Sequence, residues 1–165
     1  MPIIRIPQVT ELDTLPRYQG VSLDRIVIPA TRAAFNQAIT EITAFAQIGF
    51  DTESKPTFKV GEVSTGPHLI QFATPQAAYL FHVGIEGSVE AAKVVLESDR
   101  VLKIGFGLGS DRSRLRGRLG IDLRRFIDLG TTLRYQGKKG QVGLRGAVAA
   151  VLGMRASKSR SLSTS

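Results

Sequence analysis

Two carboxylates, Asp51 and Glu53, flank a single threonine at the end of the apolar run IGFDTE, residues 48–53. Side chains on a strand alternate between faces, so residues two apart share one. On a strand, Asp51 and Glu53 therefore point the same way. Two such acids repel, and one of them holds its proton to a higher pH unless a cation lies between them. A hard divalent ion such as Mg²⁺ or Mn²⁺ removes the conflict, because it prefers oxygen ligands. The plainer reading is a pair of solvated acids at a strand end, and the tripeptide alone does not decide between the two.

A third acid adds weight. Asp111 follows the apolar stretch VLKIGF (101–106) and a glycine-rich turn. Groups placed just after the carboxyl end of a strand in an α/β sheet are where active sites often gather. If that strand lies beside the first, Asp111 approaches Asp51. Alternatively, Asp111 only favours the start of the helix that follows, where a carboxylate is welcome in any case. The glycines GFGLG (105–109) do not match the G-x-G-x-x-G spacing of a dinucleotide-binding turn, and no first strand of such a unit precedes them. They suit a chain that must turn close to a neighbouring backbone. The two histidines, His68 and His82, fall on different predicted strands, with no cysteine to complete a zinc set. His82 is expected to be a packed strand residue.

The elements that would position these acids can be read from the pattern. A short strand at 25–29 ends at a proline. Thr31 caps a helix whose Phe35, Ala38, Ile39, Ile42 and Phe45 recur at helical spacing. Strands follow at 47–52, 68–74 and 77–83, and the segment KPTFKVGEVSTGP is polar and turn-rich, with a middle that can extend a hairpin. A helix at 88–98, a strand at 101–106, a helix at 110–119 and a strand at 124–129 come next. Asp128 can cap a helix through TTLRY, and a helix at 144–153 ends at Gly153. Strands come first as a group and then alternate with helices. This order predicts an α/β fold: an antiparallel meander joined to crossover units, a mixed central sheet flanked by helices. Residues 1–24 form an irregular N-terminal segment and residues 25–165 the domain proper.

The chain has 165 residues, 42% of them hydrophobic, enough for one packed core. No apolar run reaches the length needed to span a bilayer, and the N-terminus lacks a signal-peptide pattern. The absence of cysteine fits a reducing, cytoplasmic setting. The net charge of +8 favours a polyanionic partner. The cations crowd into the second half, from Arg100 to Arg160, while most acids lie in the first.

FDTE (50–53), LIQFA (69–73), KIGFGLGSD (103–111) and IDL (127–129) together resemble the DEDD superfamily of 3′–5′ exonucleases, and most closely its Werner-type and ribonuclease D-like branch. The likeness runs from about residue 25 to the C-terminus. It implies a ribonuclease H-like fold. It implies hydrolysis of phosphodiester bonds from the 3′ end of DNA or RNA, with release of nucleoside 5′-monophosphates. It further implies two divalent ions, Mg²⁺ or Mn²⁺, held by four acids around the scissile phosphate. On this resemblance Asp51 bridges both ions, Glu53 ligates the water-activating one and Asp111 holds the other. The backbone near Thr52 and Glu53 contacts the terminal nucleotide, and Asp128 is a helix cap or a support for the site.

One part of the pattern is missing. The family's third motif, Tyr-x-x-x-Asp, is expected after GMRASKSRSLSTS (153–165), and Tyr135 has no aspartate at the matching offset. The expectation is a C-terminally truncated version of the fold with three of four ligands and little or no activity of its own. The rival is a nucleic-acid-binding module without catalysis, using Lys103, Arg112, Arg114, Arg116, Arg118, Lys138 and Lys139 against phosphates.

Overall fold

In the computed structural model, residues 3–133, 135–136 and 143–156 are described. Lys138, Lys139 and the serine-rich stretch 157–165 lie outside them. In chain order the helices are α1 (Val9–Leu12), α2 (Arg32–Thr43), α3 (Ser88–Leu96), α4 (Leu108–Arg114), α5 (Leu129–Thr132) and α6 (Leu144–Leu152). The strands are β1 (Ile26–Val27), β2 (Gln47–Glu53), β3 (Leu69–Ala73), β4 (Ala78–His82), β5 (Leu102–Gly105) and β6 (Phe126–Asp128).

The chain divides into two compact units. The larger spans Val21–Leu129; the smaller joins residues up to Gly20 with those from Gly130 onward. In the smaller unit, backbone bonds tie the chain's ends together: Tyr18 N–H to the Arg155 carbonyl, Arg155 N–H to Pro16, and Gln136 N–H to Ile4. Its helix α6 ends at Gly153, whose φ of 62° is the left-handed conformation that glycine adopts without cost.

The larger unit holds the whole sheet, in the order β1-β4-β3-β2-β5-β6. Strands β2, β3 and β4 form the antiparallel meander; β1 runs parallel to β4, β5 parallel to β2, and β6 parallel to β5. This is the mixed α/β sheet that the element order predicts. Helix α2 starts as expected, with the Ala34 N–H on Thr31 Oγ1 at 3.2 Å. Its Phe35, Ala38 and Ile42 are buried at helical spacing. Phe35 meets Phe81 edge-on at 5.2 Å, Phe81 meets Phe72 at 5.3 Å, and Phe72 lies 6.1 Å from Phe50. The last of these precedes Asp51, so the candidate acids stand on a strand fixed from below by interlocked rings.

Several expectations are corrected. No strand forms between Glu53 and Leu69, so the hairpin is not extended; a loop with a tight turn replaces it. The opening strand is only two residues long. The helix expected over 110–119 begins at Leu108 and turns into a π-helical stretch over Leu115–Leu119. His82 is exposed at the end of β4 rather than packed.

Lys103 is the largest departure. It is not a phosphate-facing cation but a fully buried side chain on β5, with Nζ donating to the Ser98 carbonyl at 2.7 Å. Burial pushes its pKa down to about 8 from 10.5; the Asp99 carboxylate works against that and the Arg125 cation with it. The charged form is therefore penalised in the fold. Below about pH 8 the folded chain carries this penalty in full, and it fades as pH rises toward the unfolded value. Urea melts should show Lys103→Met losing about 2 kcal/mol relative to the parent chain between pH 7 and pH 10. A difference that does not change with pH would contradict the assignment.

Candidate active site

The pleat of β2 sorts the central residues. Ile48, Phe50 and Thr52 are buried, and Asp51 and Glu53 are exposed. The two acids thus share one face, as their spacing predicts. Their cross-strand partners are Gln71 for Asp51 and Leu69 for Glu53. The Glu53 carbonyl accepts the His68 N–H at 2.8 Å, which continues the pairing past the end of β3.

Asp111 arrives from the next strand over. The chain runs up β5, turns through Gly105–Gly107 and enters α4, with Asp111 in the first turn and 7% exposed. Two features hold this turn. Gly105 lies so close to β2 that a Cβ there would sit 2.6 Å from the Phe50 carbonyl oxygen and 2.7 Å from Leu108 Cδ2. Only glycine permits that approach. The second is Asp128, at the end of β6. Its two carboxylate oxygens accept the N–H groups of Gly107 and Leu108 at 3.0 and 2.9 Å. These are donors that α4 cannot satisfy itself, and a carboxylate at a helix start is favoured by the dipole as well. Asp128 is a helix cap, as expected, and these two bonds cap the helix that precedes it in the chain. Asp128→Ala should lower stability by about 0.5–2 kcal/mol in chemical denaturation, through the turn that delivers Asp111. An unchanged midpoint would show that the cap is dispensable.

Thr52 links the acids. Its backbone N–H donates to Asp51 Oδ1 at 2.9 Å, and its hydroxyl donates to Asp111 Oδ1. Although the Asp51 side chain is open to solvent, the protein around its carboxyl strips part of its water and pushes its pKa up to about 6; the Thr52 N–H opposes this, and the negative charges of Asp111 and Glu53 add to it. The three acids therefore share one electrostatic environment. They do not yet form a cage: among the described residues, no three histidine, cysteine, aspartate or glutamate side chains converge as a metal site. The reason lies in the pleat. Thr52 faces away from Asp51 and Glu53, and Asp111 is bonded to Thr52. The donor chemistry nevertheless fits a hard divalent ion, since every group is a carboxylate and, among the described residues, no cation pairs with Asp51 or Glu53.

A surface of cations adjoins Asp111. Arg112, Arg114, Arg116 and Arg118 are exposed along α4 and the π-helical stretch. The Arg112 guanidinium lies 5.5 Å from the Phe126 ring centre, Arg116 is 3.6 Å from Asp122, and Arg118 donates to the Ser64 carbonyl at 2.7 Å. Sequence reasoning found the acids and the arginines. It did not find the Thr52 hydroxyl bond, and it expected a close approach of the glycines without its partner, Phe50; both depend on register between strands.

Residues 26–164 match the family model described as 3′-5′ exonuclease. That is most of the chain, and the protein belongs to the 3′–5′ exonuclease family. Its fold is the DEDD-superfamily one found in ribonuclease D. Among solved structures it is similar to the Aedes aegypti Nibbler EXO domain, with a TM-score of 0.69 and 22% identity over 87% of this chain and 75% of that one. It is similar to Escherichia coli RNase D, with a TM-score of 0.68 and 21% identity over 80% of this chain and 34% of that one. Trypanosoma brucei RNase D in complex with RNA U12 gives a TM-score of 0.68 and 18% identity, over 79% of this chain and 48% of that one. The chain thus spans half or less of either ribonuclease D. No curated protein matches it.

Proposed function

We propose that this chain is a 3′–5′ exonuclease domain of the Werner-type and ribonuclease D-like branch. It acts on the 3′ end of DNA or RNA and releases nucleoside 5′-monophosphates, with Mg²⁺ or Mn²⁺ held by Asp51, Glu53 and Asp111. The observation that carries this is the placement of three acids: Asp51 and Glu53 share one face of β2, and Asp111, in the first turn of the helix after the adjoining parallel strand β5, accepts the hydroxyl of the Thr52 between them. Partial desolvation pushes the Asp51 carboxyl up to about 6, and the charges of Asp111 and Glu53 add to the shift.

The residues divide the work. Asp51 and Glu53 present carboxylate oxygens to solvent from the rigid end of β2. Asp111, when released from the Thr52 hydroxyl, adds a third. A divalent ion bound there supplies positive charge to the scissile phosphate and lowers the pKa of a water. The Thr52 N–H keeps Asp51 oriented, and the resemblance assigns contact with the terminal nucleotide to the backbone near Thr52 and Glu53. The arginines of α4 and the π-helical stretch contribute phosphate attraction along the strand. An RNA end is the first substrate to try, because the similar T. brucei RNase D was solved with RNA U12. Turnover by these 165 residues alone is expected to be weak or absent, since the resemblance calls for a fourth acid.

The separation of Asp111 from the face of Asp51 and Glu53 favours a second reading, a non-catalytic nucleic-acid-binding module of the same fold. Binding of oligonucleotides with a free 3′-hydroxyl or a blocked 3′-phosphate, in Mn²⁺ and in EDTA, separates the two. The exonuclease reading expects Mn²⁺ to tighten binding of the free end, and Asp51→Ala to remove that gain. Equal binding of both ends in EDTA and Mn²⁺ would support the module instead.

A further inference from the structure

The loop between β2 and β3 leaves the sheet directly after Glu53 and is built with unusual care for a solvated connection. At its base, the Lys55 N–H donates to His68 Nδ1 at 2.9 Å, and the Thr65 hydroxyl lies 3.2 Å from His68 Nε2. On its return limb, the Ser64 carbonyl receives the Arg118 guanidinium. At its tip, Glu62 Oε2 accepts the N–H groups of Phe58 and Lys59 at 3.0 and 3.1 Å, and the Glu62 N–H closes the turn on the Lys59 carbonyl at 3.0 Å. A turn fixed in this way displays one aromatic ring, Phe58, 88% exposed, beside the exposed side chains of Val60 and Val63. Fixing the backbone while leaving an aromatic ring in water is costly for a purely structural loop, because the ring gains no burial.

We propose that Phe58 is a stacking platform for a nucleobase of the single strand that leads to the Asp51–Glu53 pair. This rests on the exonuclease-family reading and assigns that site a substrate-positioning residue. A nucleobase is favoured over an apolar protein or lipid partner by the charges around the ring. Lys55 and Lys59 are exposed on the same loop and Arg118 is tied to it. The loop's own carboxylate, Glu62, is occupied by the turn. Aromatic rings set among cations bind single strands by stacking on bases and attracting phosphates, with little sequence preference. His68 bonds to the Glu53 carbonyl and to the Lys55 N–H, which ties the base of the loop to the end of β2 that carries the acids.

The chain contains no tryptophan, so Phe58→Trp introduces a single fluorophore. Titration with a twelve-nucleotide oligouridylate in EDTA should quench its emission saturably. Phe58→Ala should bind the same oligonucleotide about 5- to 100-fold more weakly, the range set by one base–aromatic stack. Its melting temperature should be unchanged, because the ring is exposed. Phe58→Tyr should bind as the parent does. An unchanged affinity in Phe58→Ala, or emission quenched by lipid vesicles and not by the oligonucleotide, would overturn the proposal. That failure is distinct from failure of the underlying reading, which shows as loss of the Mn²⁺-dependent preference for a free 3′ end with Phe58 intact.

Discussion

Asp51→Asn should make the metal-free chain more stable and, in the same protein, abolish its stabilisation by Mn²⁺. Both effects follow from one charge. Partial desolvation, opposed by the Thr52 N–H and helped by the charges of Asp111 and Glu53, brings the Asp51 carboxyl up to about 6 from 3.8. A group whose pKa rises on folding favours the fold below its unfolded value, and this advantage is lost as pH climbs through the folded one. Above pH 6 the ionised Asp51 therefore works against the fold. Asparagine keeps an oxygen to accept the Thr52 N–H and removes the repulsion. Allowing for solvent screening, the gain is about 1 kcal/mol at neutral pH, or roughly 2–4 °C in Tm for a chain of this size. The gap between variant and parent should open between about pH 4 and pH 6. Mn²⁺ reverses the order: at a hundredfold excess over its Kd, a bound ion stabilises the parent by about 2.7 kcal/mol. The variant should gain far less. Thermal melts in EDTA and in Mn²⁺ read both effects. A variant less stable than the parent in EDTA would mean that Asp51 serves the fold, not a ligand.

The second large effect is expected at Gly105. An added Cβ would meet the Phe50 carbonyl oxygen at 2.6 Å and the buried Leu108 side chain at 2.7 Å. The first contact is with backbone in the middle of β2, so no rotamer change relieves it. Gly105→Ala must push β5 and the turn into α4 away from β2. Overpacking of this kind costs about 1–3 kcal/mol. The shift also bears on function, because that turn carries Asp111. Gly105→Ala should therefore weaken Mn²⁺ binding beyond what its lower stability explains, although the residue bears no donor. Gly109→Ala is the control: a Cβ there meets nothing within 4 Å. Equal Mn²⁺ affinities for Gly105→Ala and the parent would show that the close approach is incidental to the site.

Much of this was legible because strands and helices impose their periods on the sequence. The alternation along β2 put Asp51 and Glu53 on one face, and Thr31 with Phe35, Ala38 and Ile42 fixed helix α2. The glycines before Asp111 announced a close approach, which proved to be that of Gly105 to Phe50. What escaped depends on contacts between distant segments. Lys103 reads as one more cation in a basic half, and only the pairing of β5 between β2 and β6 buries it. Asp128 precedes α5 in sequence, yet the parallel pairing of β6 with β5 brings it to the start of α4. The π-helical stretch over Leu115–Leu119 has no period that separates it from an ordinary helix. The rigid turn at Phe58 rests on Glu62, His68 and Arg118, which no local pattern connects.

The central claim is that Asp51, Glu53 and Asp111 act together on one divalent ion. Calorimetric titration of Mn²⁺ into the chain and into Asp111→Asn tests it most directly. Saturable binding by the parent is expected, and its loss in Asp111→Asn, even though Asp51 and Glu53 remain in place on β2. No saturable binding by the parent, or equal binding by both proteins, would contradict it.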